Sequence, residues 1–197
     1  MEGLTPCLLC GSPDLDSLYQ PLGTRRGITV YLCPGCGCLQ SQPVGVKGDG
    51  VLRVSHNSDY GNLRQGKIGR AQPDLDFLRR NVPGFKPGRV LDVGASRGAF
   101  AKALGEWNPK IEYVGYEPDD TLTGDWWKLP FASQQIYESR IEKAAYMPSD
   151  YFNLCYLCHT LEHLDTPLAI LRVLRNVLAP GGWLLIEVPN IRGLMGI

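Results

Sequence analysis

Residues 91–100 read LDVGASRGAF, a glycine-bearing turn between an apolar run and a helical segment. On its upstream side, RVLDVG (89–94) is short and rich in branched apolar residues, the form of a strand covered on both faces. On its downstream side, GAFAKALGEW (98–107) brings Phe100, Leu104 and Trp107 to one side of a helix, and Asn108-Pro109 stops it. Asp92, Gly94, Ser96 and Gly98 give the pattern D-x-G-x-S-x-G. Such a turn lets a ligand approach the backbone, and the helix N-terminus behind it offers unpaired amides. Taken alone, the same turn also serves sheet packing with no ligand at all.

Working outward, short apolar runs alternate with helical segments, which is the sequence form of a parallel α/β sheet. IEYVGYE (111–117) is a second strand, QQIYES (134–139) a weaker third, YFNLCYLC (151–158) a fourth and WLLIEVPN (183–190) a fifth. Before the fifth, Thr166 or Asp165 caps a helix with Pro167 in its first turn. Leu168, Leu171, Leu174 and Leu178 form its stripe, and Pro180-Gly181-Gly182 ends it. Ahead of the sheet, Leu75, Leu78 and Val82 share a helical face, Pro73 suits a first turn, and Pro83-Gly84 closes the element. The expectation is an α/β, Rossmann-like, doubly wound and mostly parallel sheet of about five strands. Glu117 stands 23 residues beyond Gly94 at the end of the second strand. A carboxylate there accepts both hydroxyls of a ribose and repels a 2′-phosphate, the alternative being a solvated strand-end acid.

Five of the seven cysteines lie in residues 1–45, a stretch with too few apolar residues to build a core of its own. Cys7 and Cys10 form one C-x2-C knuckle and Cys33 and Cys36 another. Two knuckles present four thiolates in the tetrahedral arrangement of a structural Zn²⁺ site, with room for a hairpin between them. A redox dithiol or buried free thiols are the alternatives, and Cys38 is an extra thiol. Cys155 and Cys158 share the spacing but fall in a strand, where residues i and i+3 face opposite ways, so they read as core residues. The organisation expected is a zinc ribbon over 1–45, a linker with a short strand at Val51 to Val54 and a leading helix over 46–85, and the Rossmann-like domain over 86–197.

With 20 Lys+Arg against 20 Asp+Glu, the chain has no basic field to draw it to nucleic acid, although Arg25, Arg26, Arg64, Lys67 and Arg70 leave room for a local patch. No apolar run approaches the roughly 18 residues of a membrane span, and the N-terminus lacks the features of a signal peptide. An odd number of paired cysteines suits reduced thiols. These features place the chain in the cytoplasm, with no membrane partner.

LDVGASRGAF, VGYEPD and YFNLCYLCHTLEHLDTPLAILRVLRNVLAPGGWLLIEVPN, in that order over residues 86 to 190, resemble the class I S-adenosylmethionine-dependent methyltransferases with an L-E-H motif after the fourth strand. The resemblance implies S-adenosyl-L-methionine as cofactor. Its methionine part would lie against Asp92, Gly94, Ala95 and Gly98, its ribose on Glu117, and its adenine beside Arg140, Ile141 and Glu142. The double knuckle ahead of such a domain is similar to that of sugar C-methyltransferases, and more distantly to a ribosomal-RNA guanine methyltransferase group. A nicotinamide dehydrogenase, the competing use of such a sheet, would show G-x-G-x-x-G instead.

In a methyl transfer the chain has to align the acceptor and remove its proton. His159 and His163 share a face if the segment after the fourth strand is helical, and either imidazole titrates near working pH. His163, in the L-E-H element, is the favoured base, against the alternative that it only caps or packs a turn. Tyr60, Arg64 and Lys67 are candidates to close over the cofactor. Two features depart from the family. TLTGDWWKLPFASQ (121–134) replaces a full helix, with Trp126 and Trp127 as an aromatic plug, and the chain stops soon after the fifth strand. That strand would then be an exposed edge unless a second copy, a partner chain, a swapped segment or the zinc module covers it. The reading that follows is a methyltransferase acting on a small molecule such as a nucleotide sugar. The alternatives are a non-catalytic binding or assembly module of the same fold, and an RNA methyltransferase.

Overall fold

Three strands of near-continuous apolar sequence occupy the centre of a parallel sheet: β4 (Arg89–Val93), β5 (Glu112–Tyr116) and β7 (Phe152–Cys158). Only a sheet covered on both faces buries successive residues of a strand. Its outer strands, β6 (Ser133–Tyr137) and β8 (Leu178–Glu187), are partly exposed, and the order is β6-β5-β4-β7-β8 with every pairing parallel. The structure, a computed structural model, describes residues 4–20, 29–42, 60–124, 128–144 and 146–189, with backbone alone for 60–68 and 121. The proposed strand at 51–54, the Trp126-Trp127 plug, and Arg25 and Arg26 lie outside the described residues, as do the side chains of Tyr60, Arg64 and Lys67.

Helices cover both faces. On one, α1 (Tyr60–Asn81) and α2 (Ala99–Trp107) bring Leu75, Leu78, Phe100 and Leu104 onto Val90, Tyr113, Leu154 and Tyr156. On the other, α3 (Pro167–Val177) sets Ile170, Leu174 and Val177 against Leu91, Val114, Cys155 and Leu157. Cys155 and Cys158 belong to opposite cores, as residues three apart in a strand must. Near the N-terminus, β1 (Asp16–Tyr19), β2 (Thr29–Leu32) and β3 (Leu39–Gln42) form a separate antiparallel sheet. Among the described residues, no helix is long and apolar enough to cross a membrane.

Three boundaries differ from expectation. The leading helix starts at Tyr60 and runs through Pro73 instead of beginning there. Buried Ala71 lies one turn before Leu75, so the apolar stripe continues across the proline and packing outweighs one lost backbone hydrogen bond. The stripe of α3 is Ile170, Leu174 and Val177, and Leu178 is already extended as the first residue of β8. Pro180-Gly181-Gly182 therefore lies within a strand. Leu178 pairs with Phe152 and Trp183 with Leu154, so the glycine-rich segment is looped out as an irregularity, which a sheet edge tolerates. β8 is the edge of the described sheet on that side, with Trp183 and Leu184 exposed.

Candidate cofactor crevice and cysteine cluster

Chain order reverses at β4: β5 and β6 follow on one side, β7 and β8 on the other. Connections leaving the C-terminal ends of β4 and β7 pass to opposite faces, and a crevice opens between them. Gly94, the first residue beyond β4, has φ +76, and a Cβ placed on it would lie 2.1 Å from Thr160 Oγ1. The turns after β4 and β7 thus touch through a glycine. The Gly94 and Ala95 amides donate to the Tyr116 carbonyl at 2.8 and 3.1 Å. Beside them, Glu117 Oε2 accepts from the Ser96 amide at 2.8 Å and Oε1 from the Asp119 amide at 2.9 Å. The Glu117 carboxylate, 7% exposed, is fastened against the glycine turn, and Gly98 begins α2 immediately after it.

Asp92 turns inward. It is 1% exposed, and its Oδ2 accepts the Tyr113 hydroxyl at 2.7 Å. Burial, followed by the Asp92 charge, pushes the Tyr113 hydroxyl well above the usual tyrosine range, so it remains a donor. Asp92 therefore anchors the strand end, and its side chain is not at the crevice surface. Tyr113→Phe removes that donor from a buried carboxylate and is expected to lower stability by about 1–3 kcal/mol in denaturant unfolding. An unchanged midpoint would count against the anchor.

After β6, the three predicted residues part ways. Ile141 is buried in the core beneath α3. Arg140 donates to Asp165 Oδ2 at 2.9 Å and to the His163 carbonyl at 3.1 Å, tying the turn after β6 to the one after β7. The Asp165 side chain takes this arginine and caps nothing, and Thr166 makes no side-chain cap. Glu142 has both carboxylate oxygens buried with no hydrogen-bond donor among the described residues, and its nearest cation is Arg140 at 3.6 Å.

The two histidines do not share a helical face. His159 has φ 49, and only a single 3-10 turn, Leu161–His163, follows it. His163 is exposed on that turn. His159 is held among charged groups: Nδ1 lies 3.4 Å from Glu162 Oε1, Nε2 lies 3.4 Å from Glu187 Oε1, and Arg70 contacts both Nε2 and Glu187.

The four knuckle sulfurs converge within 4.8 Å of one another, with Cys7 to Cys36 and Cys10 to Cys33 both 3.6 Å. A tetrahedral zinc with bonds near 2.3 Å separates its sulfurs by about 3.8 Å, so this donor set fits the ion. Both knuckles fold alike. The Cys7 amide donates to Ser12 O and the Gly11 amide to Cys7 O; the Cys33 amide donates to Cys38 O and the Gly37 amide to Cys33 O, all at 2.8 Å. The Cys10 amide, aimed at the Cys7 sulfur and opposed by burial, lowers that thiol to about 6. Gln40 and Gln42 of β3 fasten the first knuckle by accepting from the Leu8 and Thr5 amides at 2.9 and 3.0 Å.

Residues 64–195 match the family described as a methyltransferase domain. The chain belongs to this methyltransferase family. The chain is 30% identical over 120 residues to a ubiquinone biosynthesis O-methyltransferase of Xanthomonas campestris pv. campestris, covering 59% of this chain and 48% of that protein. It is 32% identical over 112 residues to a tRNA U34 carboxymethyltransferase of Syntrophotalea carbinolica, covering 53% of this chain and 33% of that protein. The chain thus spans about half or less of the length of these relatives. The same fold occurs in the plantazolicin methyltransferase BpumL, solved with SAH, at a TM-score of 0.55 and 16% identity over 66% of this chain and 50% of that one. An S-adenosylmethionine-dependent methyltransferase from Archaeoglobus fulgidus gives a TM-score of 0.51 and 27% identity over 70% and 62%.

Within the methyltransferase domain, the sequence gives no sign of Thr160 against Gly94, of Arg70 and Glu162 as partners of His159, or of Glu187 in the same cluster. Glu187 by itself stands out, as a carboxylate inside the otherwise apolar WLLIEVPN. Arg70 sits in a glycine-rich stretch with no periodicity, and the Thr160 contact with Gly94 spans 66 positions that no local pattern reports.

Proposed function

We propose that this chain is an S-adenosylmethionine-dependent methyltransferase whose N-terminal ribbon is held by a structural zinc on Cys7, Cys10, Cys33 and Cys36, and whose acceptor is a small molecule such as a nucleotide sugar. The observation that carries the reading is the Glu117 carboxylate fastened beside the Gly94 turn at the point where strand order reverses. A nucleoside also fits the buried Glu142 carboxylate, since an exocyclic amino group supplies the donor it lacks among the described residues. Gly94, Ala95 and Gly98 present backbone to the methionine part, with Asp92 anchoring the turn from below. Glu117 takes the ribose, and Arg140, Ile141 and Glu142 flank the adenine. When bound, the cofactor supplies an already activated methyl group. The chain's own task is to align the acceptor, exclude water and take a proton. His163, exposed on the turn after β7, is assigned that proton, and His159, enclosed by Arg70, Glu162 and Glu187, a positioning role.

Calorimetry with S-adenosylmethionine and its demethylated product tests the reading, and binding of neither would leave only a non-catalytic assembly role. Glu117→Ala removes a charged acceptor and is expected to weaken cofactor binding by about 10- to 100-fold. His163→Ala is expected to lower turnover by about 100-fold at unchanged cofactor affinity, and unchanged turnover would remove it from the mechanism. An RNA acceptor is a second reading, which similarity to a tRNA-modifying enzyme favours against the neutral charge balance. Salt-dependent retention on RNA would promote it over the small molecule.

A further inference from the structure

β7 and β8 are parallel, and Cys158 faces Glu187 across their ladder, so the two side chains project on the same face. In extended backbone the next residue, His159, would turn to the opposite face. Its left-handed φ of 49, held by its amide donating to the Glu187 carbonyl at 2.8 Å, breaks that alternation. The result is a thiol sulfur, a ring nitrogen and a carboxylate oxygen all within 4.8 Å of one another. Strained backbone at a non-glycine residue persists where the surroundings over-determine it, and such residues gather at functional sites.

Thiolate, imidazole and carboxylate together are the donor set of a zinc-class divalent ion. His159 Nε2 and Glu187 Oε1 are 3.4 Å apart, which is about the 3.4 Å separating a nitrogen and an oxygen ligand on a tetrahedral zinc. Glu162 Oε1, 3.4 Å from Nδ1, stands where a carboxylate fixes the tautomer that leaves Nε2 to the metal. The locus already attracts a cation, because the Arg70 guanidinium contacts Nε2 and Glu187 together. Arg70 is half-exposed on α1, so it can swing into water without opening either core.

We propose that Cys158, His159 and Glu187 form a second metal site, separate from the cysteine ribbon, that takes a zinc-class divalent ion in exchange for the Arg70 guanidinium. Three protein ligands leave a fourth position open, and the class of ligand it takes is a neutral or anionic oxygen donor. Thr160, the next residue, packs on Gly94, so the ion would stand beside the crevice. The site does not depend on the methyltransferase reading, and its test uses no cofactor.

The probe is zinc ion alone, titrated into the full chain in chelator-buffered solution, and the quantity read is the difference in bound zinc between the native chain and Glu187→Gln. About one extra zinc per native chain is expected. Glu187→Gln and His159→Asn, both outside the apolar cores, should each weaken that equivalent at least about tenfold with unchanged far-ultraviolet circular dichroism. Arg70→Ala, which removes the competing cation, should tighten it about tenfold. With cobalt(II), Cys158→Ser should lose part of the thiolate charge-transfer absorption. The proposal is overturned if the native chain and Arg70→Ala both bind no more zinc than Glu187→Gln, or if the extra equivalent is indifferent to His159→Asn. Because the count is a difference, failure of the ribbon to hold zinc would leave this result unaffected.

Discussion

Cys33→Ser is expected to release the ribbon zinc and unfold β1, β2 and β3 while the parallel sheet stays folded. The reason lies in what each part buries. Among the described residues, both apolar cores are built from residue 71 onward, whereas the buried residues of the ribbon are Cys7, Cys33, Gln40 and Gln42. A sheet whose described interior is thiol and amide has almost no hydrophobic term, so on the proposed zinc reading metal binding supplies its folding free energy. Structural zinc contributes about 10–16 kcal/mol at neutral pH, far more than the few kcal/mol any single apolar contact in so small a unit provides. Cys33, which opens the second knuckle, is 0% exposed, and serine in its place offers a poor ligand with no slack to move. Metal analysis should fall by about one zinc per chain, and proteolysis should cut within the first 45 residues while the thermal transition of the parallel domain is retained. Acid should act in the same direction. Each of the four sulfurs binds the ion as a thiolate, so protons compete with zinc for the same site and metal is released as the pH falls. Intact metal content in Cys33→Ser would reject this ligand set.

What the sequence made legible follows from the range of each signal. β4, β5 and β7 stood out because strands covered on both faces need unbroken apolar runs, and the knuckles because two C-x2-C pairs have few other uses. Punctuation misled where tertiary packing overrode it. Pro73 lies inside α1 because Ala71 and Leu75 hold the helix on both sides of it, and Pro180-Gly181-Gly182 lies inside β8 because an edge strand accommodates the irregularity. The polar site was the least legible part. From sequence Asp92 reads as a ligand residue, whereas its side chain takes the Tyr113 hydroxyl, and His159 and His163 share a face only in a helix, which the left-handed His159 precludes. Each of those facts depends on a partner from another strand or turn, and periodicity carries no information about such partners.

The same dependence makes Gly94→Ala the most damaging small change expected in the parallel domain. Two costs combine there. An L-residue at φ +76 loses about 1–2 kcal/mol to backbone strain alone, and Gly84, at φ +65 with nothing within 4 Å of its Cβ position, isolates that term. Gly84→Ala should therefore destabilise by about 1 kcal/mol. At Gly94 the new methyl also meets Thr160 Oγ1 at 2.1 Å and Cγ2 at 2.8 Å. Thr160 cannot easily yield, since it is buried and its hydroxyl donates to the Cys158 carbonyl at 3.2 Å. Overpacking of this kind adds about 1–3 kcal/mol, for a total near 2–5 kcal/mol, with loss of cofactor binding as the two turns are forced apart. Removing Oγ1 and Cγ2 takes away the two closest contacts, with the Thr160 Cβ at 3.0 Å and the backbone strain left in place, so Thr160→Ala should partly rescue Gly94→Ala and leave Gly84→Ala untouched. A double-mutant cycle in denaturant should give a coupling of about 1–3 kcal/mol for the first pair and about zero for the second. Additive effects at Gly94 and Thr160 would mean that the turns after β4 and β7 do not meet, and the crevice between them would then have a different shape from the one on which the cofactor assignment rests.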